Sequence, residues 1–179
     1  NNFLKMKLLR IATLSLFIFV SNFSISKAGT THYLDFKLIL NESNAGKKAQ
    51  SFLKNKLEKG IKSIQEKEKK IQSEEKKIIQ QKKVISAEEY KKKVTELRSK
   101  VTSLRKERQT LLNSVAKQRA KAKNDLIKNL NPILKNYMVE KNIKMVIDKK
   151  NLLLADDTLD ISKDIMSLLN KKLSSIKLD

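Results

Sequence analysis

Side chains that support chemistry are scarce in this 179-residue chain, which has no Cys and one His. Without thiols there is no Cys nucleophile, disulfide or thiolate metal site, and His32 alone cannot form a His pair or readily complete a triad. Asp156, Asp157 and Asp160 are close enough in sequence to imagine a cation site, but turn and helix-capping roles account for all three. The three glycines are too scattered for a phosphate-binding loop. The sequence therefore predicts a protein that is not an enzyme and uses neither a cofactor nor a metal.

Lysine is the residue type in excess. The chain carries 40 Lys and Arg against 19 Asp and Glu, a formal charge of +21. Residues 47–128 hold 26 of the basic residues and only 10 of the acidic ones. Because such a segment repels itself, we expect it to meet an anionic partner. The candidate binding residues are Lys67, Lys69, Lys70, Lys76, Lys77, Lys82, Lys83, Lys91, Lys92, Lys93 and Arg98.

Nucleic acid is the less favoured anionic partner. Only five of the 40 basic residues are Arg, the residue suited to bidentate contacts with bases and phosphates. Phe52 and Tyr90 are the only aromatic residues in the basic segment, too few for a base-stacking surface. Acidic unfolded polypeptide, or anionic lipid at a membrane surface, fits a diffuse cationic surface better.

Apolar residues at heptad spacing predict the elements that carry these cations. The first series contains Leu57, Ile64, Ile71, Ile78 and Ile85, and the second contains Val94, Leu97, Val101, Leu104, Leu111 and Val115. Arg108 and Gln118 interrupt the second series. One narrow apolar seam on each helix is typical of a coiled coil, so the two helices are expected to bury their seams against each other.

The four residues SAEE, beginning at Ser86, predict where the chain reverses. Ser86 with Glu89 three positions later forms a capping-box pattern, which favours the start of a new helix. Reversal there gives an antiparallel hairpin over 47–128 with its tip near 86–89. A single unbroken helix is the alternative, because no Gly or Pro enforces the turn. Gly60, within the first helix, is either a point of flexing or a tolerated defect.

A small body of mixed α and β structure is predicted from 29–46 together with 129–179. The predicted strands are Thr31–Phe36, Ile143–Asp148 and Asn151–Asp156. Asp160 or Ser162 is predicted to cap the final helix. Pro132 is expected either to begin a new helix capped by Asn131 or to kink a continuous one, changing its direction in both cases.

This body is too small to enclose a large core by itself. The consecutive leucines of Asn151–Asp156 would point to both faces of a sheet, so both faces would need burial. A homo-oligomer that shares one core among several chains is therefore the expected architecture. The predicted oligomerisation residues are Leu34, Phe36, Val146, Leu152, Leu154, Ile161, Ile165, Leu168 and Leu169.

Residues 1–28 are predicted to be a cleaved signal peptide. Met6–Arg10 is basic, Ile11–Val20 is an apolar core of ten residues, and Ser26–Ala28 is a small-x-small cleavage pattern. The apolar core is shorter than the ~20 residues of a membrane span. We therefore predict cleavage after Ala28 and export to the periplasm.

Two end motifs resemble those of the Skp/OmpH family of periplasmic chaperones. YLDFKLILNESNAGKKAQ (Tyr33–Gln50) is similar to the family opening, and LADDTLDISKDIMSLLN (Leu154–Asn170) is similar to its ending. Ser162 stands where the family often has Thr, which preserves capping chemistry. The resemblance implies a trimer whose β body carries three helical arms around a cavity for an unfolded client, and contact with anionic lipid or lipopolysaccharide.

The expected function is that of an ATP-independent holdase, which binds unfolded outer-membrane proteins between basic arms and prevents their aggregation. A basic structural coiled-coil protein of the cell envelope is the alternative, since solvated charges are common on long helices. A histone-like nucleic-acid-binding protein is less favoured, because an exported protein does not meet the chromosome. The α+β hairpin architecture is common to the first two interpretations.

Overall fold

A computed structural model describes residues 30–178. In chain order the elements are β1 (Thr30–Leu34), α1 (Phe36–Glu42), α2 (Asn44–Gln81), α3 (Ala87–Glu140), β2 (Ile143–Asp148) and α4 (Ser162–Lys172). Short 3₁₀ turns occupy Lys149–Asn151 and Asp157–Leu159. The predicted signal peptide lies outside the described residues. None of the helices in 30–178 combines the length and hydropathy that a membrane span requires.

Helices α2 and α3 form the predicted antiparallel hairpin. Helix α2 has 38 residues, which at 1.5 Å per residue makes an arm about 57 Å long. The chain reverses between Gln81 and Ala87, and Ser86 Oγ accepts a hydrogen bond from the Glu89 amide at 3.1 Å. Ser86 is thus the N-cap of α3. The α+β hairpin fold is confirmed, and the single unbroken helix is excluded.

A short helix, α1, replaces the end of the predicted first strand. The strand stops at Leu34, and the Asp35 carboxylate accepts a hydrogen bond from the Leu38 amide at 2.8 Å, so Phe36 already lies in a helix. Ser43 ends α1 and caps α2, where its hydroxyl accepts from the Gly46 amide at 3.1 Å. This buried serine bends the chain between the two helices.

The body encloses one hydrophobic core. The sheet has two strands, β1 and β2, and the other side of β1 makes a parallel bridge from Tyr33 to Asp160. Helix α3 extends from the arm into this core, and α4 packs across it. The central residues are Leu34, Ile39, Ala45, Leu126, Leu130, Ile133, Ile143, Ile161, Ile165 and Leu169. Because one helix belongs to both parts, the base of the arm is anchored in the core.

Pro132 does not begin a new helix, so the predicted helix start at Asn131 is wrong. Helix α3 continues through Pro132 to Glu140. Leu130 and Ile133 are buried in the core, whereas Lys128 and Pro132 face solvent. Water can therefore bind the Lys128 carbonyl that loses its amide partner, while core packing holds the helix together.

The predicted strand Asn151–Asp156 is also wrong for the described chain. Asn151 ends a 3₁₀ turn that Asp148 caps by accepting from the Lys150 amide at 3.2 Å. The following segment pairs with no strand, and Leu153 and Leu154 are 104% and 91% exposed. Apolar residues can enter a strand only where a neighbouring backbone offers hydrogen bonds, and one chain supplies none here.

The cap of the last helix differs from the prediction by one position. Ile161 occupies the N-cap of α4, and the Asp160 carboxylate accepts from the Ser162 amide at 2.8 Å. The Ser162 hydroxyl instead accepts from the Asp35 amide at 2.7 Å. Ser162 is therefore buried because it joins the start of α4 to the end of β1.

Candidate binding surface of the helical hairpin

Every predicted seam residue is at least half-buried, although Ile85 lies in the turn after α2 rather than in the helix. Ile64, Leu104 and Val115 are buried, and the other seam residues are half-buried. Only a narrow strip of each helix is covered, because two helices alone cannot enclose a wide apolar face. The remaining circumference of both helices is therefore exposed along the arm.

Gly60 is a point of close approach between the helices. A Cβ atom built at Gly60 would collide with the side chain of Leu111 on α3. Leu111 thus packs directly against the α2 backbone, and a larger residue at position 60 would require the Leu111 side chain to move. The space that Gly60 leaves is filled from across the seam.

The polar residues that interrupt the second seam have partners on α2. Gln118, which is 8% exposed, accepts a hydrogen bond from Lys56 Nζ at 2.9 Å, and Ser114 Oγ lies 3.1 Å from the same ammonium. Arg108 pairs with Glu68 at 2.7 Å. Gln118 is buried and is stabilised only in the register that supplies Lys56, so this contact selects one alignment of the helices. The Arg108–Glu68 pair is solvent-exposed and contributes little.

Two further ion pairs cross the hairpin in the same register. Lys67 Nζ lies 2.6 Å from Glu107, and Lys100 Nζ lies 2.7 Å from Glu74. Each pair is largely solvent-exposed and contributes less than about 1 kcal/mol. Their effect is to neutralise part of the arm at its middle, and Lys67 is consequently not a free cation.

The tip of the arm keeps most of the predicted cations free. Lys93 pairs with Glu89 at 3.6 Å and donates to Gln81 at 3.0 Å, and Lys82 lies 5.7 Å above the Tyr90 ring. Apart from Lys67 and Lys93, the predicted cations are exposed and have no ion-pair partner among residues 30–178. Of these free cations, Lys82, Lys83, Lys91 and Lys92 lie at the tip, and Lys69, Lys70, Lys76, Lys77 and Arg98 lie on the adjoining turns of the two helices.

Two exposed apolar residues accompany these cations, and heptad analysis did not identify them. Ile79 is 60% exposed and Val84 is 79% exposed. Ile79 follows the seam residue Ile78, so the helical rotation carries it off the seam and onto the surface. Val84 lies in the turn that joins α2 to α3, where no helix covers it. An isoleucine or valine adjacent to a seam position at the end of a hairpin is the signal that could have found them. The tip surface, Ile79–Lys93, therefore offers both positive charge and apolar contacts.

The predicted oligomerisation residues range from buried to almost fully exposed. Leu34, Ile161, Ile165 and Leu169 are buried in the core of their own chain. Phe36, Val146 and Leu152 are half-buried, and Leu168 is 37% exposed. Of the predicted set, Leu154 is the residue that remains almost fully open. Met145, on β2, and Leu153 add to this exposed apolar surface of the body.

Two of the three carboxylates considered for a cation site, Asp156 and Asp160, accept hydrogen bonds from backbone amides. Asp156 accepts hydrogen bonds from the Thr158 amide at 2.8 Å and from its hydroxyl at 2.6 Å, and these bonds lower the pKa of Asp156. Asp160 accepts from the Ser162 amide. No group of three or more potential metal ligands is found within 30–178.

The fold and surface together define a class of protein: a basic antiparallel helical hairpin mounted on a small α+β body. Residues 30–169 match the family described as outer membrane protein (OmpH-like). The match covers most of the chain, so the chain belongs to the OmpH-like family. A comparison with curated protein sequences gives no match.

A solved structure shares this architecture. The crystal structure of an OmpH-like protein from Caulobacter crescentus, described there as a candidate outer membrane chaperone, aligns with a TM-score of 0.79. The alignment covers 84% of this chain and 89% of that one, at 16% sequence identity. At this identity the comparison establishes the fold, which is preserved over nearly the full length of both chains.

Proposed function

We propose that the protein is an ATP-independent periplasmic holdase, which binds unfolded outer-membrane proteins between its basic arms and prevents their aggregation. The observation that carries this proposal is the tip surface, where free cations surround exposed Ile79 and Val84. Membership of the OmpH-like family supports it. The predicted export signal at residues 1–28 supports a periplasmic location.

The physical basis is weak binding at many points. Positive arms attract acidic polypeptide at long range, and scattered apolar residues hold it by short contacts. No single contact is strong enough to trap the client in one conformation. Several arms acting together raise the total affinity without new contacts, because each bound segment concentrates the next. No nucleotide-driven step is needed for this kind of holding.

The homotrimer in this proposal uses the exposed part of the body. Leu153 and Leu154 would be buried between chains, and the free side of β2 would receive a neighbouring backbone. A strand edge with adjacent apolar side chains is suited to pairing with another chain. The arms of the three copies would then project from one body and enclose the client.

A dilution assay tests the holdase proposal. Residues 29–179 are mixed with a urea-unfolded outer-membrane barrel on dilution, and turbidity reports aggregation. Wild type should suppress aggregation, less so at high salt because charge attraction is screened. A tip variant with four Lys→Gln changes should suppress it less. These changes are at Lys82, Lys83, Lys91 and Lys92.

A matched variant with the same loss of charge on the body serves as the control. It should retain wild-type suppression, and its changes are at Lys37, Lys135, Lys163 and Lys171. Equal loss of suppression in both variants would show that only total charge matters. Binding to folded acidic proteins as tightly as to unfolded ones would instead support a structural envelope coiled coil.

A further inference from the structure

A second concave surface lies at the base of the hairpin, away from the tip. This base groove has a volume of about 940 Å³ and runs between α2 and α3, with the end of α1 and Ile176 of the C-terminal tail at its sides. Its floor is apolar and is formed by Ala49, Leu53, Leu57, Val115, Ala122 and Leu126. The volume lies in the range of small-molecule sites.

The two sides of the base groove differ in whether their cations are paired with carboxylates. On the α2 side, Lys47 pairs with Glu42 at 2.9 Å and Lys54 lies 3.8 Å from Glu58. On the α3 side, Arg119 and Lys123 are four residues apart, exposed, and without an ion-pair partner among residues 30–178. One wall therefore presents two adjacent cations to whatever occupies the groove, and the occupant's polar group should be anionic.

The apolar floor favours a hydrocarbon chain over an extended polypeptide. Most lining residues lie inside α2 and α3, where backbone amides and carbonyls are already hydrogen-bonded within the helices. An extended peptide along this floor would have to take its amide partners from water, because the helix backbones supply none. A hydrocarbon chain has no such groups. From Val115 to Leu126 the floor follows α3 for about 16 Å, which accommodates an extended acyl chain.

The C-terminal tail closes one side of the groove. Leu173 and Ile176 pack against the hydrophobic core, and Lys121 Nζ donates to the Lys177 carbonyl at 2.9 Å. Ile176 is thereby held at the groove wall beside α3. This contact makes the site a product of the folded body rather than of the two arm helices alone.

We propose that the base groove binds a free fatty acid, with the acyl chain on the apolar floor and the carboxylate against Arg119 and Lys123. The ligand has one chain and one anionic group, which matches one apolar channel and one cationic wall. The site is separate from the tip surface, so it can be occupied independently of a protein client.

Titration calorimetry with laurate below its micelle concentration tests this proposal. Residues 29–179 should bind about one laurate per chain, whereas butyrate, with the same carboxylate on a short chain, should not bind measurably. Arg119→Gln/Lys123→Gln should weaken laurate binding about tenfold, because two charge-assisted contacts are lost. Lys91→Gln/Lys92→Gln removes the same charge at the tip and should leave the affinity unchanged. Ala122→Phe, which fills the floor, should also weaken binding.

Several outcomes would overturn the assignment. These are non-saturable laurate binding, equal laurate affinity in the two double variants, or a change of oligomeric state in Ala122→Phe, which would make the groove an interface between copies. Sedimentation with phosphatidylglycerol vesicles that depends on Arg119 and Lys123 would instead identify a membrane surface. If Arg119→Gln/Lys123→Gln lost client holding but kept laurate affinity, the groove would belong to the client.

Discussion

The contact between Gly60 and Leu111 makes the effect of Gly60→Ala depend on the residue across the seam. A methyl group at Gly60 would collide with the Leu111 side chain. In the wild-type background, overpacking costs about 2 kcal/mol, and the better helix propensity of Ala returns about 1 kcal/mol. Gly60→Ala should therefore destabilise the protein by about 1 kcal/mol.

Gly60→Ala should change from destabilising to stabilising once Leu111 is shortened. Leu111→Ala alone should destabilise by about 2 kcal/mol, at the low end for such truncations because the side chain is only half-buried. In that background the new methyl group at Gly60 finds space, and only the propensity gain of about 1 kcal/mol remains. The double variant should thus be more stable than Leu111→Ala, whereas Gly60→Ala alone is less stable than wild type.

Urea unfolding followed by circular dichroism at 222 nm measures these differences, at one protein concentration because assembly affects stability. Ser63→Ala, on the exposed face of α2, is the control and should have the same small effect in both backgrounds. If Gly60→Ala stabilised wild type and Leu111→Ala equally, Gly60 would not be required for close packing, and the reasoning would fail.

Three further predictions concern the tip, the body and the last helix. Ser86→Ala removes the N-cap of α3 and should cost about 1 kcal/mol in urea unfolding without opening the hairpin; a loss of helical signal in the folded protein would contradict this. Leu153→Asp/Leu154→Asp should lower the mass measured by light scattering, and an unchanged mass would place the interface elsewhere. The hydrogen bond to Asp164 raises the pKa of Tyr137 to about 12. The folded state therefore holds this proton after the unfolded chain has lost it, so stability should fall as pH rises from 10 to 12. The fall should be shallower in Tyr137→Phe, and parallel curves would refute the contribution of this bond.

The hairpin could be predicted because its determinants are local and periodic. Heptad spacing identifies which side of each helix is buried, and a capping pattern at Ser86 identifies where the second helix begins. The free cations of the tip could be predicted as a group from charge density. Which of them are neutralised could not, since the pairing of Lys67 with Glu107 requires the register of the folded hairpin.

The errors fall where local sequence signals meet the packing of distant segments. Pro132 carries the signal of a helix start, yet buried neighbours keep α3 continuous. The leucines after Asn151 have the composition of a strand, but strand formation depends on a partner backbone that the chain does not supply. The helix α1 was missed although its cap is local, because the alternating residues of Thr31–Phe36 indicated a strand that continues past Asp35.

The amino-acid sequence by itself determined the helical arms, their excess of positive charge and the point of reversal, because these follow from spacing and composition over short distances. Only the tertiary structure decided that Gly60 receives Leu111, and that α1, α2, α3 and the C-terminal tail enclose the base groove. Arg119 and Lys123 are ordinary surface cations in the sequence. They line a concave apolar surface because segments from both ends of the described chain pack beside them.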